Sequence, residues 1–163
     1  MEHRIRPYEK GEENYVADAH RRIYSEEYHW GKVFTDYAAS IPLNFAKREK
    51  NDREELWVAE ADGRLVGSLM LCRTDEPLTG QMRVFLIEKD YRRQGIGSAL
   101  IRALMDKARE AGYRRLILWT AREAADAVRI YERLGFHAVE EKENFDWTPD
   151  GSPVTELKMV MSL

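Results

Sequence analysis

The residues best suited to chemistry lie together in Tyr91-Arg92-Arg93-Gln94-Gly95-Ile96-Gly97-Ser98-Ala99-Leu100, shortly after the apolar run Val84-Phe85-Leu86-Ile87. The pattern predicts a strand, a basic glycine turn and the start of a helix. Glycines at i and i+2 leave the backbone N–H groups of Gln94 to Ser98 unobstructed at the positive end of a helix dipole, which makes a cradle for phosphate. Arg92 and Arg93 add charge-assisted donors, and Ile96 and Leu100 turn inward to hold the helix against a sheet. The flanking residues decide which phosphate. A nucleoside-triphosphate loop needs Gly-x-x-x-x-Gly-Lys and then Ser or Thr, none of which is present. The dinucleotide fingerprint fits poorly: its third small residue falls at Leu100, and no acidic residue ends the run Leu116-Ile117-Leu118-Trp119-Thr120. A third pattern, Arg/Gln-x-x-Gly-x-Gly/Ala, is matched by Arg92, Gly95 and Gly97.

The elements that must position this loop fit within one domain. The chain has 163 residues, 44% of them hydrophobic and 34% charged, which suits one globular core and excludes a disordered chain. A net charge of −3 and a pI near 5.9 argue against a nucleic-acid scaffold, which would carry a basic stripe. Cys72 is the single cysteine, so no internal disulfide forms, as suits a reducing cytoplasm; within Leu69-Met70-Leu71-Cys72 it reads as a buried small hydrophobe rather than a nucleophile. His3, His20, His29 and His137 show no metal-ligand spacing, so no metal is expected. No segment reaches the length of a membrane span and the N-terminus lacks the apolar core of a signal peptide, so no membrane partner is expected.

In chain order, Ile5-Arg6-Pro7-Tyr8 reads as an edge strand. A helix is expected from Glu12 to about Trp30, and a second from Lys32, ending near Pro42 or running on in pieces to Lys50. Tyr24, Glu27 and Tyr28 share a face of the first. Residues 9 to 37 hold seven carboxylates against four Lys and Arg, together with aromatics that include Tyr24, Tyr28 and Trp30. Acid and aromatic together suit a site for a cationic amine. The β-prone runs 56–61 and 65–71 around Asp62-Gly63 predict a hairpin. Gln81 to Ile87 then adds an antiparallel strand that delivers the chain to the glycine loop. Leu100, Ile101, Leu104, Met105 and Ala108 repeat at helical period up to Gly112, and Leu116 to Trp119 is apolar on both faces, as in a central strand reached by a crossover. The class is α/β: antiparallel strands first, a βαβ unit after.

A second informative stretch is Ala124-Ala125-Asp126-Ala127-Val128-Arg129-Ile130-Tyr131-Glu132-Arg133-Leu134-Gly135-Phe136, a short helix closed by a glycine cap with Phe136 placed to contact it. It resembles the Ala-x-x-Leu-Tyr-x-Lys-Leu-Gly-Phe signature of the GNAT family of acetyl-CoA-dependent N-acetyltransferases, and the Arg92–Gly97 pattern resembles that family's pyrophosphate loop. The order and separation of the two motifs agree with the family. The resemblance covers nearly the whole chain, and residues 82–147 look especially like the acetyltransferase half of regulator–acetyltransferase fusions that begin with a winged-helix DNA-binding domain. It implies a single acetyltransferase domain over 1–163: a mixed, mostly antiparallel sheet of six to seven strands with flanking helices and a splayed strand pair for acetyl-CoA.

Roles follow by resemblance. Phe85, Leu86 and Ile87 would meet the pantetheine. Arg92, Arg93, Gln94, Gly95, Ile96, Gly97 and Ser98 would hold the pyrophosphate, with Arg133 near a phosphate. Tyr131 would stand beside the sulfur and protonate the departing thiolate. No residue is clearly the general base; Glu27 and Glu88 are the candidates, with His29 behind them, and the acidic, aromatic first helices offer Tyr24, Glu27, Tyr28 and Trp30 for the acceptor pocket. The chain departs from the pattern at Ala124, where many relatives have Asn, and at Arg133, where they have Lys. The expected activity is transfer of acetyl from acetyl-CoA to a primary amine by direct attack, in the cytoplasm, on a small amine rather than a protein. A CoA-binding sensor or interaction module without turnover is the alternative. Exposed strand edges and an apolar C-terminal segment allow a homodimer.

Overall fold

The structure, a computed structural model, describes residues 2–163. The first strand, β1 (His3–Pro7), is followed by two helices, α1 (Glu13–Tyr28) and α2 (Lys32–Lys47). Strands β2 (Glu55–Ala61), β3 (Arg64–Arg73) and β4 (Thr79–Ile87) come next, and a 3₁₀ turn (Lys89–Tyr91) leads into α3 (Ile96–Glu110). The chain closes with β5 (Arg115–Ala121), α4 (Ala125–Leu134), β6 (His137–Asn144) and β7 (Val154–Ser162). The strands form one sheet in the order β1-β2-β3-β4-β5-β7-β6, antiparallel throughout except between β4 and β5.

Both faces of the sheet are covered, which explains why its central strands are apolar at nearly every position. On one face Leu69, Leu71, Leu116, Leu118 and Met159 pack with Leu100 and Leu104 of α3. On the other, Leu56, Val58, Met70 and Val84 pack with Val16 of α1 and Phe45 of α2. Asp62 and Gly63, both in the left-handed region, make the two-residue hairpin turn between β2 and β3. Cys72 is buried, and that burial pushes its thiol up to about 11.

Two irregularities of β4 shape the middle of the sheet. Its parallel pairing with β5 stops after Thr79↔Arg115, Gly80↔Leu116 and Gln81↔Ile117, so the rest of each strand runs without the other. Its register against β3 also slips: Arg83 faces Met70 and Leu86 faces Ser68, leaving Val84 and Phe85 opposite Leu69 alone. Val84 sits at φ 49° in this bulge, and Ser68 Oγ donates a 2.7 Å hydrogen bond to its carbonyl. The bulge resets the alternation of side chains. Met82 faces α3, Val84 and Leu86 face α1 and α2, and Phe85 and Ile87 return to the α3 side.

The structure departs from the sequence reading in three places. α2 runs unbroken from Lys32 to Lys47 with Pro42 buried inside it. α1 stops at Tyr28, where His29 turns left-handed at φ 57°, so Trp30 lies beyond the helix. β6 has no signal in the sequence: it is exposed along almost its whole length and gives no apolar alternation, existing as a strand through its pairing with β7.

Candidate active site

Where β4 and β5 part, a cleft of about 1370 Å³ opens between them and runs under α1, α2 and α4. The glycine loop forms one end. Gly95 caps α3 at φ 86°, a conformation that favours glycine, and Arg93 before it is also left-handed at φ 62°. The first helical hydrogen bond is donated by Ala99 to the Gly95 carbonyl, 3.0 Å away, so the N–H groups of residues 93–98 have no backbone partner among the described residues. Six consecutive free donors at a helix N-terminus make a ready site for a diphosphate. Gly97 serves closeness instead: a Cβ there would come 3.3 Å from the Phe85 ring, which would have to give way slightly.

Tyr131 forms part of the cleft wall. Its position follows from the end of α4, where Gly135 turns left-handed and Phe136 N–H reaches back 3.0 Å to the Tyr131 carbonyl. Phe136 meets its ring edge-on at 6.0 Å and Phe85 lies 6.1 Å away on the cleft side. Burial first, then the nearby Tyr24 and Tyr28 phenols, push its pKa up, and its hydroxyl has no hydrogen bond from the described residues. A protonated, unspent O–H therefore faces the space between the splayed strands.

The model of the acetyltransferase (GNAT) family covers residues 15–136. The chain belongs to the GNAT acetyltransferase family. Among curated relatives, human N-acetyltransferase 8 is 34% identical over 84 residues, 49% of this chain and 37% of that protein. The rat N-acetyltransferase family 8 member 2 is 31% identical over 97 residues, 57% of this chain and 43% of its own length. The chain thus spans less than half the length of these relatives. A GNAT acetyltransferase of Streptococcus pneumoniae superposes with TM-score 0.79 at 21% identity, covering 99% of this chain and 100% of the other. A Salmonella typhimurium protein, assigned as an acetyltransferase and solved with its cofactor acetyl-CoA, reaches 0.76 at 16% identity, covering 100% of this chain and 95% of its own. At these identities the structural likeness speaks for the fold.

Within this GNAT cleft, the structure gathers some of the anticipated residues and not others. Phe85, Leu86, Ile87, Arg92, Arg93, Gly95, Gly97, Ser98 and Arg133 line it, as do Tyr24, Tyr28 and Trp30. Tyr24 stacks on Trp30 with ring centroids 5.4 Å apart, and Phe34 and Trp147 complete this aromatic wall. Gln94 and Ile96 are not among the lining side chains; Gln94 is exposed and donates to the Asp90 carbonyl, and Ile96 is buried in the core. Glu88 N–H pairs with Val66 of β3, so by antiparallel alternation the polar groups of Ile87 point into the gap, where its carbonyl accepts from Arg92 Nε at 2.9 Å. Ala124, at the start of α4, lines the cleft without a polar side chain.

The carboxylates proposed as bases lie elsewhere. Glu27 is held bidentate by Arg92 at 2.7 and 2.9 Å, and Glu88 by Arg22 at 3.0 and 2.7 Å with the Tyr15 hydroxyl donating at 2.7 Å. Neither lines the cleft, and nor does His29. These partners hold the Glu88 carboxyl below its usual range against the opposing effect of its burial. Arg92 is consequently committed to Glu27 and Ile87 as well as standing beside the cradle.

The structure adds lining residues that no local motif marks. His20 is buried in α1, its Nδ1 lies 2.7 Å from the Val16 carbonyl, and its Nε2 has no partner among the described residues. A carbonyl only accepts, so the proton sits on Nδ1 and Nε2 carries a lone pair. Glu156 of β7, which accepts from Asn144 at 3.1 Å, is the lining carboxylate on the α1–α2 side of the sheet. Arg83, Trp119, Lys142 and Trp147 join them. Strand periodicity places Arg83 and Glu156 on a face, but only the splay turns that face into a cavity wall. Among the described residues no group of His, Cys, Asp and Glu is arranged to hold a metal, and no helix is long and apolar enough to cross a membrane.

Proposed function

We propose that this chain transfers acetyl from acetyl-CoA to a primary amine by direct attack of the amine nitrogen on the thioester carbon. The observation that carries the reading is the continuity of one cleft from six unpartnered N–H groups to the free hydroxyl of Tyr131. The residues present fit the carrier: the open amides of 93–98 suit its diphosphate, Arg133 has no carboxylate partner among the described residues, and the outward backbone of Ile87 suits an extended amide chain. When bound, acetyl-CoA supplies an activated acyl group whose C–S bond breaks as the C–N bond forms, the electron pair leaving with sulfur.

The chain's own residues do the rest. Burial holds the proton on Tyr131, so its hydroxyl donates a hydrogen bond to the sulfur as negative charge develops there. A thiolate with a pKa near 8.5 leaves readily, which keeps this contribution toward the low end of the range for general acids. The amine must shed a proton, and the acceptor that the cleft offers on the α1–α2 side is the Glu156 carboxylate, directly or through water. The aromatic wall of Tyr24, Tyr28 and Trp30 supports a small organic acceptor rather than a protein segment.

Release of free thiol from acetyl-CoA across a panel of amines tests the reading. Tyr131→Phe should lower kcat about tenfold to a hundredfold with little change in acetyl-CoA binding. Unchanged turnover removes Tyr131 from the mechanism. Ligand at a hundred times its Kd should stabilise the chain by about 2.7 kcal/mol, so a thermal shift with CoA and no thiol release from any amine leaves a binding module in its place.

A further inference from the structure

We propose that the acceptor carries a carboxylate on an apolar body, as an apolar amino acid does, and that Arg83 grips that carboxylate. The inference rests on the transferase reading above and concerns the half of the same cleft that lies away from the phosphate cradle.

The acidic residues of 9–37 favoured a cationic acceptor only while their direction was unknown. None of the seven lines the cleft. Glu12 is bound by Arg6, Glu27 by Arg92 and Asp36 by Arg21 and Lys32. The charged side chains that do line the cleft are eight Arg and Lys against three carboxylates. Most of these cations sit on the glycine loop, α3 and α4, where a diphosphate carrier accounts for them.

Arg83 and Lys142 lie apart from that group. Met82 packs toward α3, so Arg83 beside it faces α1 and α2, where its guanidinium donates 2.8 Å to the Tyr37 hydroxyl. It is half-buried and forms no ion pair among the described residues, which leaves most of its donor fork unspent. A half-buried guanidinium whose side-chain hydrogen bond goes to a neutral phenol has donors left for an anion, and its planar fork matches the two oxygens of a carboxylate. Lys142 reaches from β6 across β7 to lie 4.8 Å over the ring of Trp119 on β5, also without an ion pair among the described residues. Arg83 and Lys142 set two cations on the α1–α2 side of the cleft against the one carboxylate of Glu156, which stands opposite Lys142 across the β6–β7 pair, so the cation in surplus is Arg83. The remaining wall is aromatic: Trp30, Phe34 and Trp147, the last tied down by a 2.6 Å hydrogen bond from Gly31 N–H to its carbonyl. A carboxylate toward Arg83, an apolar side chain against the indoles and the amine toward the thioester satisfy all three surfaces.

The test compares thiol release from acetyl-CoA with L-phenylalanine, L-leucine and L-methionine, the carboxamide of each, and spermidine. The amide's amine is the less basic, so more of it is neutral at pH 7 and intrinsic reactivity favours the amide. A preference for the acid is therefore the site's doing. The expected kcat/KM ratio of acid to amide is about tenfold to a hundredfold, the effect of one charge-assisted contact, expressed in KM. Arg83→Gln should collapse that ratio toward one and Arg83→Lys should keep part of it, with the CoA thermal shift confirming that each variant is folded. Amides or spermidine turned over as well as the acids, or a ratio unmoved in Arg83→Gln, overturns the proposal. If no amine releases thiol, the transferase reading fails and the anion site is read without turnover, from thermal shifts with N-acetyl-L-phenylalanine and its amide in the presence of CoA. A shift from the acid alone, lost in Arg83→Gln, sustains the site; equal shifts or none overturn it.

Discussion

His20 makes the stability of this chain depend on pH in a window that few of its other groups occupy. The imidazole is buried with a lone pair that no described residue satisfies, and burial, opposed by the Val16 carbonyl, lowers its pKa from 6.5 to about 4. In the unfolded chain the ring binds a proton as pH falls through 6.5, while in the folded chain it stays neutral until pH is near 4. The unfolded state thus holds more protons throughout that interval, and stability drops as pH drops. The full loss is about 3 kcal/mol by pH 4, of which about 2 kcal/mol falls between pH 7 and pH 5. Above 6.5 the contribution is intact. Urea unfolding of the wild type and of His20→Gln at pH 7, 6 and 5 measures it, since the variant has nothing at position 20 to titrate. Carboxylates held below their usual range, such as Glu12 and Glu88, act at lower pH and cancel in the difference. The gap between the two chains should move by about 2 kcal/mol over that range, against the wild type as pH falls. A gap that stays constant with pH would refute the buried, neutral imidazole.

Three further outcomes rest on the same geometry. Gly95→Ala, which forces a Cβ onto a residue at φ 86°, should cost about 1–2 kcal/mol in denaturant unfolding and weaken CoA binding by shifting the first turn of α3. Ser68→Ala strips the Val84 carbonyl of its buried donor and should cost about 1–3 kcal/mol; an unchanged midpoint would show that the bulge does not need it. With its thiol pushed up to about 11, Cys72 should resist a disulfide reagent at pH 8 in the native chain and react stoichiometrically in urea.

How much of this was legible in the sequence depended on how local each feature is. The phosphate cradle and the Tyr131 helix are written in consecutive residues, because a left-handed glycine, a basic turn and a helix cap are satisfied within one or two turns of chain. The acceptor half is not. The acids of α1 and α2 read as a cationic pocket, but helical periodicity does not say which face meets a cavity, and Glu12, Glu27 and Asp36 are drawn off by Arg6, Arg92 and Arg21. β6 escaped because a polar strand that pairs on one side only leaves no apolar rhythm. The decisive case is Val84. A β-branched residue is among the least suited to positive φ, and nothing in 81–87 signals the slip that occurs there. Yet that slip puts Arg83 and Val84 on the α1–α2 side in succession and returns Phe85 and Ile87 to the side of Gly97 and Tyr131. Backbone strain persists where surrounding structure enforces it, and here Ser68 from β3 does so. Relaxing the bulge would restore strict alternation along β4 and pull Phe85 away from the glycine loop. The strained residue therefore couples the two halves of the cleft: Arg83 faces the α1–α2 side by the regular alternation that precedes the bulge, and the slip that follows it sets Phe85 against the glycine loop.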